Sequence, residues 1–210
     1  MAVFQSLGGN HFIPPGKHSY ISLHNDSIQD TITVNSMRPA IFFDLTHTLL
    51  EKTNERYHLY SDALDTLKAL LERGYRVAFF GGPMDQENVQ EILSKMKYKE
   101  HPGVGVFTGK INLLELAALA RKCAVFLTND SGPMHVAVSQ KVPVVAIFGS
   151  SNEVGFGPYS QNSVVVKTDI ACRPCGRHHC DHHSCMTEIA HEQVLAQIMP
   201  FVSSTSKWNC

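Results

Sequence analysis

Short segments that are apolar throughout, alternating with amphipathic helical stripes, constrain the fold of this chain more than any other feature. Strands without a polar face are predicted at AIFF (40–43), YRVAFFGG (75–82), AVFLT (124–128) and VPVVAIFG (142–149). VVVK (164–167) predicts a further strand. A strand that is apolar on both faces must be covered on both faces, which is typical of parallel sheets enclosed by helices.

Helical stripes lie between these strands. Apolar residues recur at helical spacing from Ser61 to Arg73, and Gly74 follows as the expected helix C-cap. Further helices are predicted around residues 89–96, 113–121, 133–140 and 194–202. The alternation predicts an α/β domain with a Rossmann-like, doubly wound parallel sheet. Ligands bind at the carboxyl ends of the strands in such sheets, so we expect the site in the loops that follow them.

We predict that the domain covers residues 37–205. Residues 1–36 mix Gly, Pro, His, Asn and Ser and are interpreted as a tail or linker, and residues 206–210 as a second tail. No apolar run approaches the roughly 20 residues that span a bilayer, and no signal-peptide pattern is present, so we expect a cytoplasmic protein. The formal net charge of -1 gives no electrostatic basis for binding nucleic acid.

The most informative loop is TNDSGPMHVA (128–137), which connects a predicted strand to a predicted helix. Asp130 and Ser131 are residue types that cap helices, and Gly132 lets the backbone come close to a ligand. The amides and dipole of the helix N-terminus attract anions such as a diphosphate. His135, in the first turn, is placed to donate to a phosphate oxygen. The same spacing also fits a plain capped helix with a surface histidine.

Four cysteines lie within fourteen residues: Cys172, Cys175, Cys180 and Cys185. Thiolates at this spacing, interleaved with histidines, suit tetrahedral Zn²⁺, or alternatively iron. Four protein ligands leave no open coordination position, so such a metal would be structural and not catalytic. The alternative is a set of reduced thiols without metal.

Four motifs occur in a defined order along the chain: NDSGPMH, VPVVAIFGSS, FGPYS and CRPC…CM. In this order they resemble the C-terminal domain of glycosyltransferase family nine, whose best-known members are ADP-heptose:lipopolysaccharide heptosyltransferases. The resemblance runs from about Arg38 to Val202. It implies a GT-B fold, in which an N-terminal domain binds the acceptor and a C-terminal domain binds the nucleotide-sugar donor.

The resemblance also implies roles for individual residues. The residues that match the family's donor-phosphate loop are Asp130, Ser131, Gly132 and His135. Ile111, in TGKINLLELAAL (108–119), falls where the family packs an apolar side chain against adenine. Glu87 is similar to the acidic residue that holds the ribose hydroxyls, and Asp85 is the other candidate.

DLTHTLLEK (44–52) looks like the family's first-strand loop, in which threonines and a lysine meet the diphosphate. The matching residues are Thr46, Thr48 and Lys52, with Arg56 as a substitute for the lysine. The family usually follows that lysine closely with Trp-Pro, whereas this chain has Arg-Tyr-His at residues 56–58.

The resemblance implies transfer of a sugar from ADP-heptose, or a related nucleotide sugar, to a lipopolysaccharide core or similar acceptor, without a catalytic cofactor. Family members place the general base on the acceptor domain, and residues 1–36 are too few to form that domain. We therefore expect catalysis to require an acceptor domain, in a longer chain or in a separate partner chain, at the inner membrane. The alternative is a non-catalytic nucleotide-sugar-binding module that works only with a partner.

FFDLTHTLLE (42–51) also resembles the first motif of haloacid-dehalogenase-type phosphatases, in which Asp44 would attack phosphorus. However, Thr46 stands where these phosphatases keep a second aspartate, and VAFFGG lacks the expected Ser or Thr. The phosphatase would require Mg²⁺ and Asp44, whereas the transferase requires Asp130 and His135.

Overall fold

A computed structural model of the chain describes residues 40–44, 50–53, 56–59, 63–95, 101–177 and 180–203. All of these residues belong to one compact unit, Asn35–Cys210. The tails predicted at residues 1–36 and 206–210 lie outside the described residues. Within the described ranges, no helix has the length and apolar character needed to cross a membrane.

The elements, in chain order, are β1 (Ala40–Asp44), β2 (Leu50–Thr53), β3 (Arg56–Leu59), α1 (Ala63–Glu72), β4 (Arg76–Phe80), α2 (Gln86–Lys95), β5 (Val104–Val106), α3 (Leu113–Ala120), β6 (Cys123–Asn129), α4 (Gly132–Ser139), β7 (Val144–Ile147), α5 (Glu153–Phe156), β8 (Ser163–Val166), α6 (Ser184–Thr187) and α7 (His191–Ser203). A 3-10 turn, Pro83–Asp85, precedes α2. The five long helices and five of the strands lie where the apolar pattern predicts them.

Six parallel strands form the main sheet in the order β5-β4-β1-β6-β7-β8. Counted along the chain, these strands have the order 3-2-1-4-5-6, which is that of the Rossmann fold. β2 and β3 form a separate antiparallel hairpin. The predicted Rossmann-like, doubly wound sheet is therefore confirmed.

Helices cover both faces of the sheet. Ile41 and Phe43 of β1 belong to the core beneath α1, α2 and α7, whereas Phe42 belongs to the core beneath α3 and α4. Phe42 stacks on Phe107 and Phe126, with ring centroids 5.9 and 6.1 Å away. Since successive strand residues point to opposite faces, burial of both faces explains why the strands are apolar throughout.

The sequence pattern did not predict β5 or the β2–β3 hairpin. β5 has only three residues, Val-Gly-Val, and its central glycine breaks the apolar run. Gly105 is needed there because a Cβ atom would lie 3.1 Å from the Phe107 ring. A run this short carries no usable periodicity, so only its pairing with β4 defines it.

Phe126→Ala tests the packing of the central strands. Phe126 is fully buried in β6, so its truncation should lower the free energy of unfolding by about 3–5 kcal/mol. Phe156→Ala is the control, because this residue is 59% exposed and its loss should change the free energy by less than about 0.5 kcal/mol. Urea unfolding measures both values, and equal losses would contradict this packing.

Candidate functional site

The path of the chain leaves a crevice between the carboxyl ends of β1 and β6. From β1, the chain continues through the hairpin and α1 to β4, on one side of this crevice. From β6, it continues through α4 to β7, on the other side. Loops diverge at such a switch point, and the space between them is the usual ligand site of this fold. A cleft of about 280 Å³ opens there, lined by Asp44, Phe80, Gly81, Gly82, Asp85, Asn129, Asp130, Ser131 and Pro133.

A buried carboxylate joins the two sides of this crevice. Asp44, at the end of β1, is 5% exposed. Its Oδ2 accepts hydrogen bonds from the Ser131 hydroxyl at 2.7 Å and from the Thr128 hydroxyl at 3.1 Å. The two hydroxyl oxygens lie 3.0 Å apart. Hydrogen bonds to carboxylates are among the stronger ones in proteins, so this network fixes the β6–α4 loop against β1.

The prediction that Ser131 caps the following helix is wrong. Ser131 occupies the N-cap position of α4, but its side chain makes no capping hydrogen bond. Its hydroxyl is oriented toward the Asp44 carboxylate instead of toward the helix amides. The Ser131 side chain therefore leaves the Gly132 amide at the start of α4 without a side-chain cap. Pro133 has no amide hydrogen, and the Met134 amide donates to the Ser131 carbonyl oxygen at 3.2 Å.

Gly132, the first residue of α4, borders open space. A Cβ atom added there would have nothing within 4 Å, and the backbone is not in the left-handed region. Neither packing against the described residues nor backbone strain accounts for a glycine at this position. The close approach of a ligand at Gly132 stays a prediction from the sequence.

Asp85 closes the opposite side of the cleft. Its Oδ2 accepts a hydrogen bond from the Gly82 amide at 2.8 Å, and the residue is 8% exposed. A Cβ atom on Gly81 would lie 2.7 Å from that oxygen, so a glycine is needed there. Glu87, the first choice for the ribose-binding carboxylate, is exposed in the first turn of α2 and does not line the cleft. The structure thus brings the second choice, Asp85, to the cleft.

Three other predicted donor-binding residues lie on the β5 and β6 sides. Asp130 lines the cleft. His135 is exposed on α4 and is not part of the described lining. Ile111 is half-buried beside the N-terminus of α3, where it packs against the core beneath α3 and α4.

The last residues of the predicted first-strand loop, residues 44–52, form part of a strand in the structure. Thr46 and Thr48 lie outside the described residues. Lys52 lies in β2, where it pairs with Tyr57 of β3, so the prediction of a loop at this position is wrong. Arg56, the substitute for the lysine, begins β3. The hairpin escaped prediction because its strands have four residues each and are largely polar.

Arg173 attaches the cysteine segment to the carboxyl end of β7. Its guanidinium donates to the carbonyl oxygens of Gly149 and Thr168 and forms an ion pair with Glu153 at 3.3 Å. The Arg173 side chain is 5% exposed, so the pair is largely shielded from water. Lys167 also bonds Glu153, and this hydrogen bond is the main cause of the lowered pKa of Glu153.

The four clustered cysteines form no disulfide in the described structure. Cys172 and Cys175 are exposed, Cys180 is half-buried and Cys185 is buried. Burial, followed by the charges of the other three thiols, raises the pKa of Cys185. As a donor set the four suit Zn²⁺ or iron, but no group of three potential ligands in the described ranges is arranged to hold a metal ion. Cys123 is a core residue, and burial raises its pKa to about 12.

Asn129 is a cleft residue that the sequence analysis missed. It ends β6 and lines the cleft, and its Oδ1 is buried without a hydrogen-bond partner in the described structure. Its position in the sequence could have indicated a site residue, because Asn129 directly precedes Asp130 at the carboxyl end of an apolar strand.

The profile of glycosyltransferase family 9 (heptosyltransferase) matches residues 10–185. This range is more than half of the chain and includes the whole cleft and the four clustered cysteines. The chain belongs to glycosyltransferase family 9. The family 9 match begins at residue 10, inside the segment that we interpreted as a tail.

Named relatives within family 9 are heptosyltransferases. Lipooligosaccharide heptosyltransferase 2 of Campylobacter jejuni is 34% identical over 130 residues, which are 60% of this chain and 41% of the relative. Lipopolysaccharide heptosyltransferase 2 of Escherichia coli is 33% identical over 100 residues, which are 48% of this chain and 29% of the relative.

Solved structures in family 9 share the fold. The Escherichia coli ADP-heptose LPS heptosyltransferase II has a TM-score of 0.65 and 26% identity, over 80% of this chain and 47% of its own. A family 9 glycosyltransferase from Veillonella parvula has a TM-score of 0.63 and 30% identity, over 82% of this chain and 48% of its own. The chain thus spans less than half the length of these relatives.

A double-mutant cycle tests the hydrogen-bond network of this family 9 cleft. Asp44→Ala should lower the free energy of unfolding by about 2–3 kcal/mol, because the Thr128 and Ser131 hydroxyls lose their acceptor. Ser131→Ala should cost about 1 kcal/mol. The double variant should lose about 1 kcal/mol less than the sum, since both changes remove the same bond. Urea unfolding of the four proteins measures the coupling, and strictly additive losses would contradict it.

Proposed function

We propose that this chain is the nucleotide-sugar-binding domain of a family 9 glycosyltransferase, the C-terminal half of a GT-B fold. The observation that carries the proposal is the switch-point cleft, bordered by the NDSGPMH loop and by the N-terminus of α4, which has no side-chain cap. The proposed donor is ADP-heptose or a related nucleotide sugar, and a solved relative at 26% identity is named for ADP-heptose.

The charges in the cleft constrain how the donor would lie. Among the described residues, the lining contains three carboxylates, those of Asp44, Asp85 and Asp130. It contains no lysine or arginine. Carboxylates accept hydrogen bonds from hydroxyl groups and repel phosphate oxygens. We therefore place the hydroxyls of the donor beside these carboxylates and its diphosphate at the N-terminus of α4. The further partners proposed for the diphosphate are Thr46, Thr48, Lys52, Ser131, Gly132 and His135.

The nucleoside would lie toward β4 and β5. Asp85 is favoured over Glu87 as the ribose ligand because it lines the cleft, whereas Glu87 is exposed on α2. Ile111 is the proposed contact of the adenine, and its half-buried side chain leaves an apolar surface for a base.

Sugar transfer by the whole protein is a further part of the proposal. The acceptor would be a lipopolysaccharide core or a similar saccharide, and the transfer would invert the anomeric carbon without a catalytic cofactor. Such a reaction requires an acceptor hydroxyl and a general base placed against that carbon. We propose that an acceptor domain supplies the base, in a longer chain or in a separate partner, and that the assembly works on the cytoplasmic side of the inner membrane.

Two alternative functions, a non-catalytic binding module and a phosphatase, would require different properties of the same cleft. A non-catalytic module would bind the donor and require a partner for every later step. A phosphatase would require Asp44 as a free nucleophile, but its Oδ2 already accepts two hydroxyl hydrogen bonds. Neither the matched family nor the relatives described above are phosphatases. The position of Asp44 therefore favours a role in holding the loop.

Calorimetric titration with ADP and UDP tests the donor-binding proposal. We expect ADP to bind in preference to UDP. Gly132→Ala should lower the affinity for ADP about tenfold, because it places a methyl group where the ligand approaches. Its melting temperature should not change, since the added Cβ meets no protein atom within 4 Å.

Gly155→Ala is the matched control for Gly132→Ala. Its added Cβ would also meet only ordinary contacts, the nearest at 3.9 Å, and Gly155 does not line the cleft. It should leave both the affinity and the melting temperature unchanged. A folded wild-type chain that binds no nucleotide would contradict the proposal and leave the phosphatase and an inert domain as the candidates.

We also propose that the cysteine segment holds a structural Zn²⁺ or iron ion. The ligands would be Cys172, Cys175, Cys180 and Cys185. Support comes from the donor chemistry and from the contribution of the other three thiols to the raised pKa of Cys185. Arg173 and Glu153 hold this segment against the carboxyl end of β7.

Metal analysis of chain purified without chelators tests this site. We expect one bound ion per chain in the wild type and its loss in the double variant Cys172→Ser, Cys175→Ser. Cys123→Ala should keep the ion, because Cys123 is buried in β6 and lies outside the segment. A chelator should lower the melting temperature of the wild type but not of the double variant. A folded wild type without metal would contradict the site.

A further inference from the structure

The large apolar side chains that are exposed in the described part of the chain all lie at one edge of the sheet. They belong to Met84, Leu113, Leu114, Val154, Phe156 and Tyr159. These residues follow the carboxyl ends of β4, β5 and β7, the edge at which the cleft opens. Scattered exposed apolar residues need no explanation, but their concentration on one edge indicates a surface that another molecule covers.

The exposed apolar residues form two groups on opposite sides of the cleft. The group on the β5 side, called the β5 flank, consists of Met84, Leu113 and Leu114. The group on the other side, called the β7 flank, consists of Val154, Phe156 and Tyr159. The strand order places the β1–β6 switch point between the two flanks. A partner that contacted both flanks would therefore span the cleft.

The β7 flank belongs to an ordered segment. Asn152 caps α5 by accepting a hydrogen bond from a first-turn amide at 3.0 Å. Glu153 is held by ion pairs with Lys167 and Arg173. A Cβ atom on Gly157 would overlap the Glu153 carbonyl oxygen, so the tight turn after α5 needs a glycine. Because these interactions fix the backbone, a partner that docks on the flank loses little conformational entropy in ordering it.

The β7 flank is also nearly uncharged. Residues 149–160 contain one charged side chain, that of Glu153, and it is paired with Lys167 and Arg173. Attraction to anionic lipid headgroups comes from lysine and arginine side chains, and residues 149–160 contain neither. The flank therefore fits an apolar protein surface better than a lipid surface.

The length of the relatives indicates which protein surface this is. The chain covers 47% and 48% of two solved family 9 structures, so each of these relatives has a further half. Sugar transfer requires an acceptor hydroxyl and a base to be placed against the sugar in the cleft. An acceptor domain that does so must lie over the carboxyl ends of the strands, where both flanks are exposed.

We propose that the acceptor domain docks on the two flanks and that the β7 flank anchors it through apolar contacts. The inference rests on the proposed function, since it takes an acceptor domain as the partner. It goes beyond that function by assigning the contact to Val154, Phe156 and Tyr159, which do not line the donor cleft.

Binding of a separately produced acceptor domain tests the inference. The probe is the part of the Veillonella parvula family 9 glycosyltransferase that this chain does not cover. We expect calorimetry to detect its binding to the wild-type chain. The double variant Val154→Ser, Phe156→Ser should bind it at least tenfold more weakly, because the contact loses two apolar side chains. Its melting temperature should change little, since both side chains are exposed in the free chain.

The double variant Arg121→Ser, Lys122→Ser is the matched control. Both side chains are exposed and follow α3, at the amino edge of the sheet, so their loss should leave the binding unchanged. A wild-type chain that does not bind the probe, or a β7-flank variant that binds it as tightly as the wild type, overturns the inference. A chain that binds ADP but not the probe overturns only this inference, whereas a chain that binds no nucleotide overturns the proposed function.

Two further measurements test the other occupants of the β7 flank. Sedimentation of the wild-type chain alone should show a monomer, and vesicles of phosphatidylethanolamine and phosphatidylglycerol should not retain it. A dimer that the β7-flank variant loses would assign the flank to a second copy of the chain. Vesicle binding that the variant loses would assign it to a membrane. Either result overturns the inference.

Discussion

The hydrogen bonds from Ser131 and Thr128 to the buried Asp44 carboxylate are the interaction on which the site depends. They join β1 to the β6–α4 loop across the switch point of the sheet. They also orient the Ser131 hydroxyl away from the first turn of α4, so that its side chain does not cap the helix. One buried carboxylate thereby fixes the position of the loop and keeps the Ser131 side chain from capping the start of α4.

The same arrangement divides the cleft by charge. Amides at the N-terminus of α4 attract anions, whereas the carboxylates of Asp44, Asp85 and Asp130 favour hydroxyl groups. A nucleotide sugar has both kinds of group, with a diphosphate between two hydroxyl-rich rings. The chemistry of the cleft therefore agrees with the family to which the chain belongs.

Long helices and strands were predictable from the sequence, whereas the shortest strands were not. Long elements such as α1, α7 and β6 were predicted correctly, because burial imposes a periodic apolar pattern on them. β5 and the hairpin were missed, since three or four residues carry no periodicity and are defined only by their partners. Short motifs predicted several residues that line the cleft, among them Asp130 and Ser131, but they did not single out Asn129.

The sequence by itself determined the α/β class, the parallel sheet and the family, because apolar strands and the order of motifs are local properties of the chain. Only the tertiary structure decided that Asp44 meets Ser131, 87 residues away. It also decided that Asp85 lines the cleft while Glu87 does not, and that Asn129 Oδ1 is buried there without a partner. The physical reason is that these contacts depend on the strand order and on the turn after β4, which set distances that no local pattern encodes.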